Sequence, residues 1–339
     1  MVMSMEGLNH GIPYCNVCLG STDPDYQMYN VAISGVVLAI VGAIGLIGNC
    51  LVVAVYTCPD QRVFSTSLYL AALAVSDFLM ICTAMFLFVL ETWRHHGPHV
   101  LALLYGSGAP FIFPLGAIFQ TTSVYFCVAA AVDCFIQVVL PKPFSEICCT
   151  PKKAKIVVFT MAICCVFYNI PHCFELRAIE CVEPRHDSAL SLQICPTKIR
   201  LDPFYYTIYY TYMYTTFMAV GPLLLLIVLN ICVVWTVFRK GASEDSDTVS
   251  LILVVCFFIF CNFTALLVNF LELTLYEQLQ HVIVYLVDLS NLLVVINCTA
   301  NFFLYMIFGN SFRRSLLKLV ATRRQVNLLW TEAENNEEC

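Results

Sequence analysis

Residues 110–141 read PFIFPLGAIFQTTSVYFCVAAAVDCFIQVVLP. No Asp, Glu, Lys or Arg occurs from residue 95 to residue 132, and the first acid after that run is Asp133, followed by a second apolar stretch and Pro141. A helix needs about 20 apolar residues to cross the hydrocarbon core of a bilayer. This stretch therefore reads as a membrane span with a carboxylate where it leaves the membrane. Gln120, Thr121, Thr122 and Ser123 lie mid-run. Lipid offers such groups no hydrogen-bonding partner, so the helix belongs inside a bundle.

The rest of the 339-residue chain agrees. It is 60% hydrophobic and 12% charged, with a mean hydropathy of +0.81. A soluble domain carries roughly 25% charge, so the composition excludes an ordinary soluble fold and predicts an all-α polytopic membrane protein. Seven candidate spans follow, at 31–57, 66–90, 108–139, 155–173, 203–238, 248–271 and 281–308. The connections are short, without repeat or linker. Residues 1–30 are polar and lack the apolar h-region of a cleavable signal. The expected division is an extracellular N-terminus (1–30), a seven-span domain (31–308), an amphipathic membrane-surface helix (309–322) and an acidic tail (323–339). In the third of these, Phe312, Leu316, Leu319 and Val320 fall at helical spacing opposite Arg313, Arg314 and Lys318, a pattern suited to an anionic leaflet.

Twelve of the 17 Lys and Arg residues fall on the side that takes the 1–2, 3–4 and 5–6 loops and the C-terminus. The positive-inside rule makes that side cytoplasmic and, with seven spans, puts the N-terminus outside, as in a plasma-membrane protein. Most of the 19 cysteines, among them Cys127, Cys164, Cys165, Cys232, Cys256 and Cys261, lie in apolar runs, where thiols act as small hydrophobes. Cys15, Cys18, Cys181 and Cys195 lie in outer segments, where an oxidising compartment permits disulfides. Cys181–Cys195 would staple the 4–5 loop. Cys15 and Cys18 suit a local bridge, a link to that loop, or a metal site, though no His/Cys group supports a metal. The glycosylation patterns at Asn262 and Asn297 fall inside spans and carry no meaning there.

Several motifs resemble those of rhodopsin-like (class A) G-protein-coupled receptors. They are Gly48-Asn49 with Val52 and Val53, Leu73-Ala74-Val75-Ser76-Asp77, Pro222 with Asn230, Phe258-Ile259-Phe260-Cys261, and Asn301-Phe302-Phe303-Leu304-Tyr305. The last resembles NPxxY with its proline lost. Segments 110–125, 168–175, 265–272 and 291–308 resemble invertebrate FMRFamide-type neuropeptide receptors more closely. The resemblance implies a seven-transmembrane helix bundle, an extracellular peptide ligand, a heterotrimeric G protein and arrestin as partners, and no nucleic acid. It also implies a sodium and water pocket at Asp77, Ser123, Asn297 and Asn301, with sodium the one cofactor to consider. Read physically, these are polar side chains on apolar helices that must pair with each other, with water or with an ion.

The departures are specific. The family's Asp-Arg-Tyr is Asp133-Cys134-Phe135 here, and Pro141 fixes the register. In the family that arginine swings from a salt bridge with its neighbouring acid to the G protein. Asp133 has no adjacent cation, and Glu244, the arginine's other partner by position, lacks one too. Asn262 and Thr264 replace the sixth span's usual tryptophan and proline, and Ala109 replaces the third span's outer cysteine. Asp133, Cys134, Phe135, Tyr305 and Phe258 are the positions on which coupling and activation would turn.

Acids near the outer ends are Glu91, Glu175, Glu272 and Asp288. They suit a cationic ligand group, such as the arginine of an Arg-Phe-amide peptide. Each has a plainer reading as the partner of a polar neighbour. Tyr205, Tyr206, Tyr209, Tyr210, Tyr212 and Tyr214 offer aromatic faces to a ligand or form an interfacial belt. Asp288, Glu272, Glu175 and Tyr209 are the ligand-binding candidates. No nucleophile–base pair, phosphate loop or metal motif points to an enzyme. A transporter or channel would show inverted repeats or broken helices, which the sequence lacks. A non-coupling peptide receptor and a small-molecule chemosensory receptor remain as alternatives.

Overall fold

The computed structural model describes residues 8–9, 12–15, 23–183, 189–240 and 246–321. Among the described residues six helices are long and apolar enough to cross a membrane: span 1 Pro24–Tyr56, span 2 Ser65–Arg94, span 3 His99–Val139, span 4 Pro151–Phe174, span 5 Pro203–Arg239 and span 7 His281–Phe308. A shorter apolar helix, Thr248–Thr264, is span 6. These are the seven segments expected, most of them extended at one or both ends. Spans 6 and 7 share one helical backbone, Ser246–Phe308, which doubles back on itself. Ser250 Oγ donates to the Leu304 carbonyl, 54 residues on, where a straight helix would part them by about 80 Å.

Three spans start on the same local signal, a side-chain acceptor followed by proline. Asp23–Pro24, Thr150–Pro151 and Asp202–Pro203 open spans 1, 4 and 5, and each capping oxygen accepts a backbone N–H of the first turn. Proline at the first helical position gives up an N–H that would have had no partner anyway.

Span 3 lies at the centre, and its mid-run polar groups explain why. Thr122 Oγ1 meets Ser76 Oγ of span 2 at 2.5 Å, Ser123 Oγ donates to Asp77 of span 2 at 2.6 Å, and Thr121 Oγ1 accepts from Asn169 of span 4 at 2.9 Å. Each of these three hydroxyls, which lipid would strand, is matched by a neighbouring helix. Span 1 packs against span 7 through Gly45, where a Cβ would lie 2.3 Å from Thr299 Oγ1.

Span 5 runs as a wide π-helix over Tyr206–Val220 before turning α-helical at Gly221. Pro222 supplies a physical reason. In a π-helix its N–H would serve the Phe217 carbonyl five residues back, but proline has none. Tyr125 Oη of span 3 donates to that carbonyl instead, at 2.8 Å.

The 4–5 loop is an antiparallel hairpin of Leu176–Glu183 and Ala189–Pro196. It sits on the outer end of span 3, where Gly106 approaches Leu192 so closely that a Cβ would come within 2.3 Å of it. The N-terminal segment joins this cap: Tyr14 bridges Val182, Cys15 N–H donates to the Val182 carbonyl, and Cys15 bonds Cys181. This corrects the expected Cys181–Cys195 staple. In the hairpin register Cys181 faces Ser191 while Cys195 faces Arg177, four residues further along the strand. That offset is about 13 Å at the rise of a strand, beyond a disulfide's reach. The link from the N-terminus to the loop, one of the readings open for Cys15 and Cys18, is what forms. Cys195 is also disulfide-bonded.

On the opposite face residues 310–321 are helical. Phe312, 1% exposed, packs on Tyr56 and Tyr305. Gln61 Nε2 donates to Ser311 and Ser315, fastening the first loop to this helix. Val320 stands exposed, outside the packed part of the expected apolar stripe.

Candidate functional site

Polar side chains gather at three depths along the bundle. The outermost centres on Glu175, at the junction of span 4 and the hairpin. Thr197 anchors that junction, its N–H on the Glu175 carbonyl and its hydroxyl on the Phe174 carbonyl. Glu175 is fully buried. Oε1 accepts from Tyr205 at 2.6 Å and lies 3.1 Å from His172 Nδ1. Oε2 accepts from Tyr210 at 2.5 Å and from the Arg200 guanidinium. Burial pushes the Glu175 carboxyl up, but hydrogen bonding and charge from His172, with the Tyr205 and Tyr210 hydroxyls, outweigh it and hold the carboxyl down at about 2. Arg200 also lies over the Phe113 and Tyr210 rings. Tyr209 is buried beneath, stacked on Tyr205 and donating to the Tyr168 carbonyl at 3.0 Å.

The tyrosine run thus divides by face. Tyr205, Tyr209 and Tyr210 turn toward Glu175, while Tyr206 and Tyr212 are exposed. Asp288 lies elsewhere. It is buried and accepts from Asn30 Nδ2 at 2.9 Å, and Asn30 Oδ1 accepts from Thr92 at 2.8 Å. This chain ties span 7 to spans 1 and 2, so the structure does not bring Asp288 to Glu175. The Glu272 side chain lies outside the described residues, as does Glu244. Tyr214 is half-buried.

At mid-depth Asp77 is completely buried. Oδ1 accepts from Ser123 at 2.6 Å and Oδ2 from Asn301 at 2.7 Å. Asn297 is 4% exposed, and its Oδ1 has no protein partner among the described residues; nor do Asn49 Oδ1 and the Tyr305 hydroxyl. Buried polar atoms without partners are costly, by about 1–3 kcal/mol each. A carboxylate, a hydroxyl and amide oxygens are the hard oxygen donors that an alkali cation or water takes. These residues fit a sodium ion. Asn49, which was read only as a motif residue, joins the group.

The innermost depth holds Asp133. Its carboxylate accepts from Ser65 Oγ through both oxygens at 2.9 Å, from Thr66 Oγ1 at 2.6 Å and from Gln137 Nε2 at 2.7 Å. No ion pair to Asp133 occurs among the described residues, in line with the missing arginine. Cys134 is buried at 8% exposure, Phe258 is buried at 5% and Phe135 packs against the same core. Ser65 and Thr66 were not legible as site residues, because 68 and 67 positions separate them from their partner. Gln137 was not named either, although its place one helical turn beyond the acid was a signal that could have found it.

Comparison with known proteins agrees with this architecture. The family described as "7 transmembrane receptor (rhodopsin family)" matches residues 48–305. The probable G-protein coupled receptor frpr-1 of Caenorhabditis elegans is 39% identical over 335 residues, covering 92% of this chain and 86% of its own. The FMRFamide receptor of Drosophila melanogaster is 29% identical, covering 86% of this chain and 54% of its own. The FMRFamide peptide receptor frpr-18 of Caenorhabditis elegans is 26% identical, covering 83% of this chain and 67% of its own.

Proposed function

Because the chain belongs to the rhodopsin family of seven-transmembrane receptors, we propose that it is a plasma-membrane receptor for an amidated, FMRFamide-like neuropeptide, signalling to a heterotrimeric G protein. The carrying observation is the similarity over nearly the whole chain to a G-protein coupled receptor and, at lower identity, to two receptors named for FMRFamide peptides. The outer cluster supplies a chemistry in keeping with it. Glu175 already holds one guanidinium, that of Arg200, between tyrosine hydroxyls and aromatic faces. A peptide arginine would exchange with Arg200 there, and its phenylalanine would meet the Tyr205–Tyr209 stack. Glu272 and Asp288 stay candidates for further contact as the outer ends open.

The sodium ion would be held by Asp77, Ser123, Asn297 and Asn301, where it would balance the Asp77 charge and oppose inward movement of span 7. At the inner end Ser65, Thr66 and Gln137 would keep Asp133 in the resting state, the part an arginine plays elsewhere in the family. Arrestin is a further expected partner.

The test is binding of labelled amidated Arg-Phe peptides to intact cells displaying the chain, with and without sodium, in the wild type and in Asp77→Asn. Saturable, displaceable binding that sodium weakens in the wild type alone is expected. No binding at confirmed surface expression sinks the peptide reading. Equal sodium sensitivity in Asp77→Asn removes the ion from the pocket without touching the ligand.

A further inference from the structure

We propose that Asp288 and Thr92 form a subsite for a primary carboxamide, the end group of an amidated peptide, and that the side chain of Asn30 fills it in the resting receptor. The assignment rests on the peptide reading above for its ligand class, and it is independent of which acid takes the arginine.

The present occupant names the chemistry. Asn30 of span 1 ends in a primary carboxamide. Its Nδ2 donates to Asp288 Oδ2 of span 7 at 2.9 Å, and its Oδ1 accepts from Thr92 Oγ1 of span 2 at 2.8 Å. An ionised carboxylate only accepts, so the amide nitrogen faces Asp288 and the amide oxygen faces Thr92. The carboxamide that ends an amidated peptide is the same planar group, with the same donors and the same acceptor. It reproduces both bonds and asks no change of either partner.

Charge sets this acid apart from the two others described at the outer end. Glu91 pairs with Arg94 at 3.1 Å, and Glu175 pairs with Arg200. Asp288 has no ion pair among the described residues. Its donors are neutral, the Asn30 amide and the Tyr26 hydroxyl, and Glu91 acts on it as a like charge. A free C-terminal carboxylate would add another negative charge and bring no proton to donate. A carboxamide brings the proton without the charge. Sites built to hydrogen-bond an N–H reject analogues that lack it by large factors, because the buried partner is left unmet. A guanidinium would satisfy Asp288 too, but it offers the Thr92 hydroxyl no acceptor.

Exchange needs little rearrangement. Asp288 and Thr92 are buried at 6% and 2% exposure, but the group between them belongs to a half-buried residue in the outermost turns of span 1. A turn of the Asn30 side chain toward solvent uncovers both partners. The Thr92 hydroxyl also has the Phe88 carbonyl at 2.9 Å, so its proton has an acceptor while occupants exchange.

The experiment has two arms. In the first, purified full-length Asn30→Ala protein is melted with N-acetylphenylalaninamide or with N-acetylphenylalanine. The amide alone should raise the melting temperature, and adding Asp288→Ala should abolish the rise. In the second, a labelled amidated Arg-Phe peptide on intact cells is displaced by the same peptide as amide or as free acid. The wild type should prefer the amide about a hundredfold, and Asp288→Asn should cut that preference to about tenfold or less. Thr92→Val should weaken the amide about fivefold, the worth of one hydrogen bond. Asn30→Ala should tighten it severalfold, since the internal competitor is gone; an asparagine with a merely structural part would lose affinity instead. The proposal falls if acid and amide compete equally in the wild type, if Asp288→Asn keeps the wild-type preference, or if Asn30→Ala does not tighten the amide. It falls equally if Asp288→Asn erases the difference between an arginine and a citrulline peptide, which would give the acid to the guanidinium. Where no Arg-Phe peptide binds, the first arm decides: amide-selective stabilisation keeps the subsite while the peptide reading falls, and its absence sinks both.

Discussion

Asp133 shows how one residue keeps its place after its partner is lost. A buried carboxylate beside an arginine would be held by charge; here it is held by hydroxyls of Ser65 and Thr66 and the amide of Gln137. Hydrogen bonds to a charged group are worth about 1.5–3 kcal/mol each, so three donors suffice without a cation. Asp133→Asn keeps the size but turns one acceptor into a donor facing donors. Loss of about 1 kcal/mol of resting-state preference shifts a two-state equilibrium about fivefold. Basal second-messenger output at matched surface level should rise accordingly, and unchanged output would make the network mere packing. Glu175 makes a second case, readable through pH. Its carboxyl is held at about 2, below its ordinary value of 4.5. The unfolded chain therefore binds more protons between those values, and stability from this group is complete above about 4.5 and lost as pH falls toward about 2. Thermal melting of purified protein across that window should show a decline that Glu175→Gln flattens. A variant that melts with the wild-type pH profile would remove Glu175 as its source.

Elements differ in how far the sequence announces them. The spans are legible because twenty apolar residues without charge have few other fates, and the mid-run hydroxyls of span 3 mark it as central before any contact is known. Asp77, Ser123 and Asn301 converge for the same reason, each being a polar group in an apolar run. The hairpin is less legible although Ala189–Pro196 alternates in the manner of a strand, with Leu190, Leu192 and Ile194 between smaller or polar residues. Its pairing partner Leu176–Glu183 carries three charges and reads as loop. The disulfide was beyond reach for a related reason: which cysteine Cys181 takes depends on a register that spacing alone does not give. The hairpin also replaces a covalent tie, since Ala109 stands where the family has its third-span cysteine. Close packing of Gly106 on Leu192 holds that junction. Gly106→Val should lift the hairpin off span 3. Hydrogen exchange at residues 189–196 is then expected to quicken severalfold, with the buried parts of spans 2 and 3 unchanged. Exchange at wild-type rates would show that Cys15–Cys181 alone fixes the cap.

Across the whole molecule, two independent arguments bear on which way the chain faces. Lys and Arg lie mostly on the face shared by the first, third and fifth loops, the side a cell retains in its cytoplasm. The opposite face carries the Cys15–Cys181 bond, which persists only in an oxidising compartment. Charge placement acts during insertion and the disulfide forms afterwards, so their agreement is not one fact counted twice. Both are in keeping with the proposed orientation, in which the hairpin, the Glu175 cluster and the N-terminal segment would lie outside, on the peptide's side, and residues 310–321 with Asp133 inside, on the G protein's side. An epitope tag before Met1 should be stained by antibody on intact cells, while a tag after Cys339 should require permeabilisation. Cys15→Ser should leave that topology intact, because the bilayer rather than the disulfide decides it, yet lower peptide affinity by loosening the cap over Glu175. A C-terminal tag reached on intact cells would reverse the assignment of both faces and with it the placing of ligand and G protein.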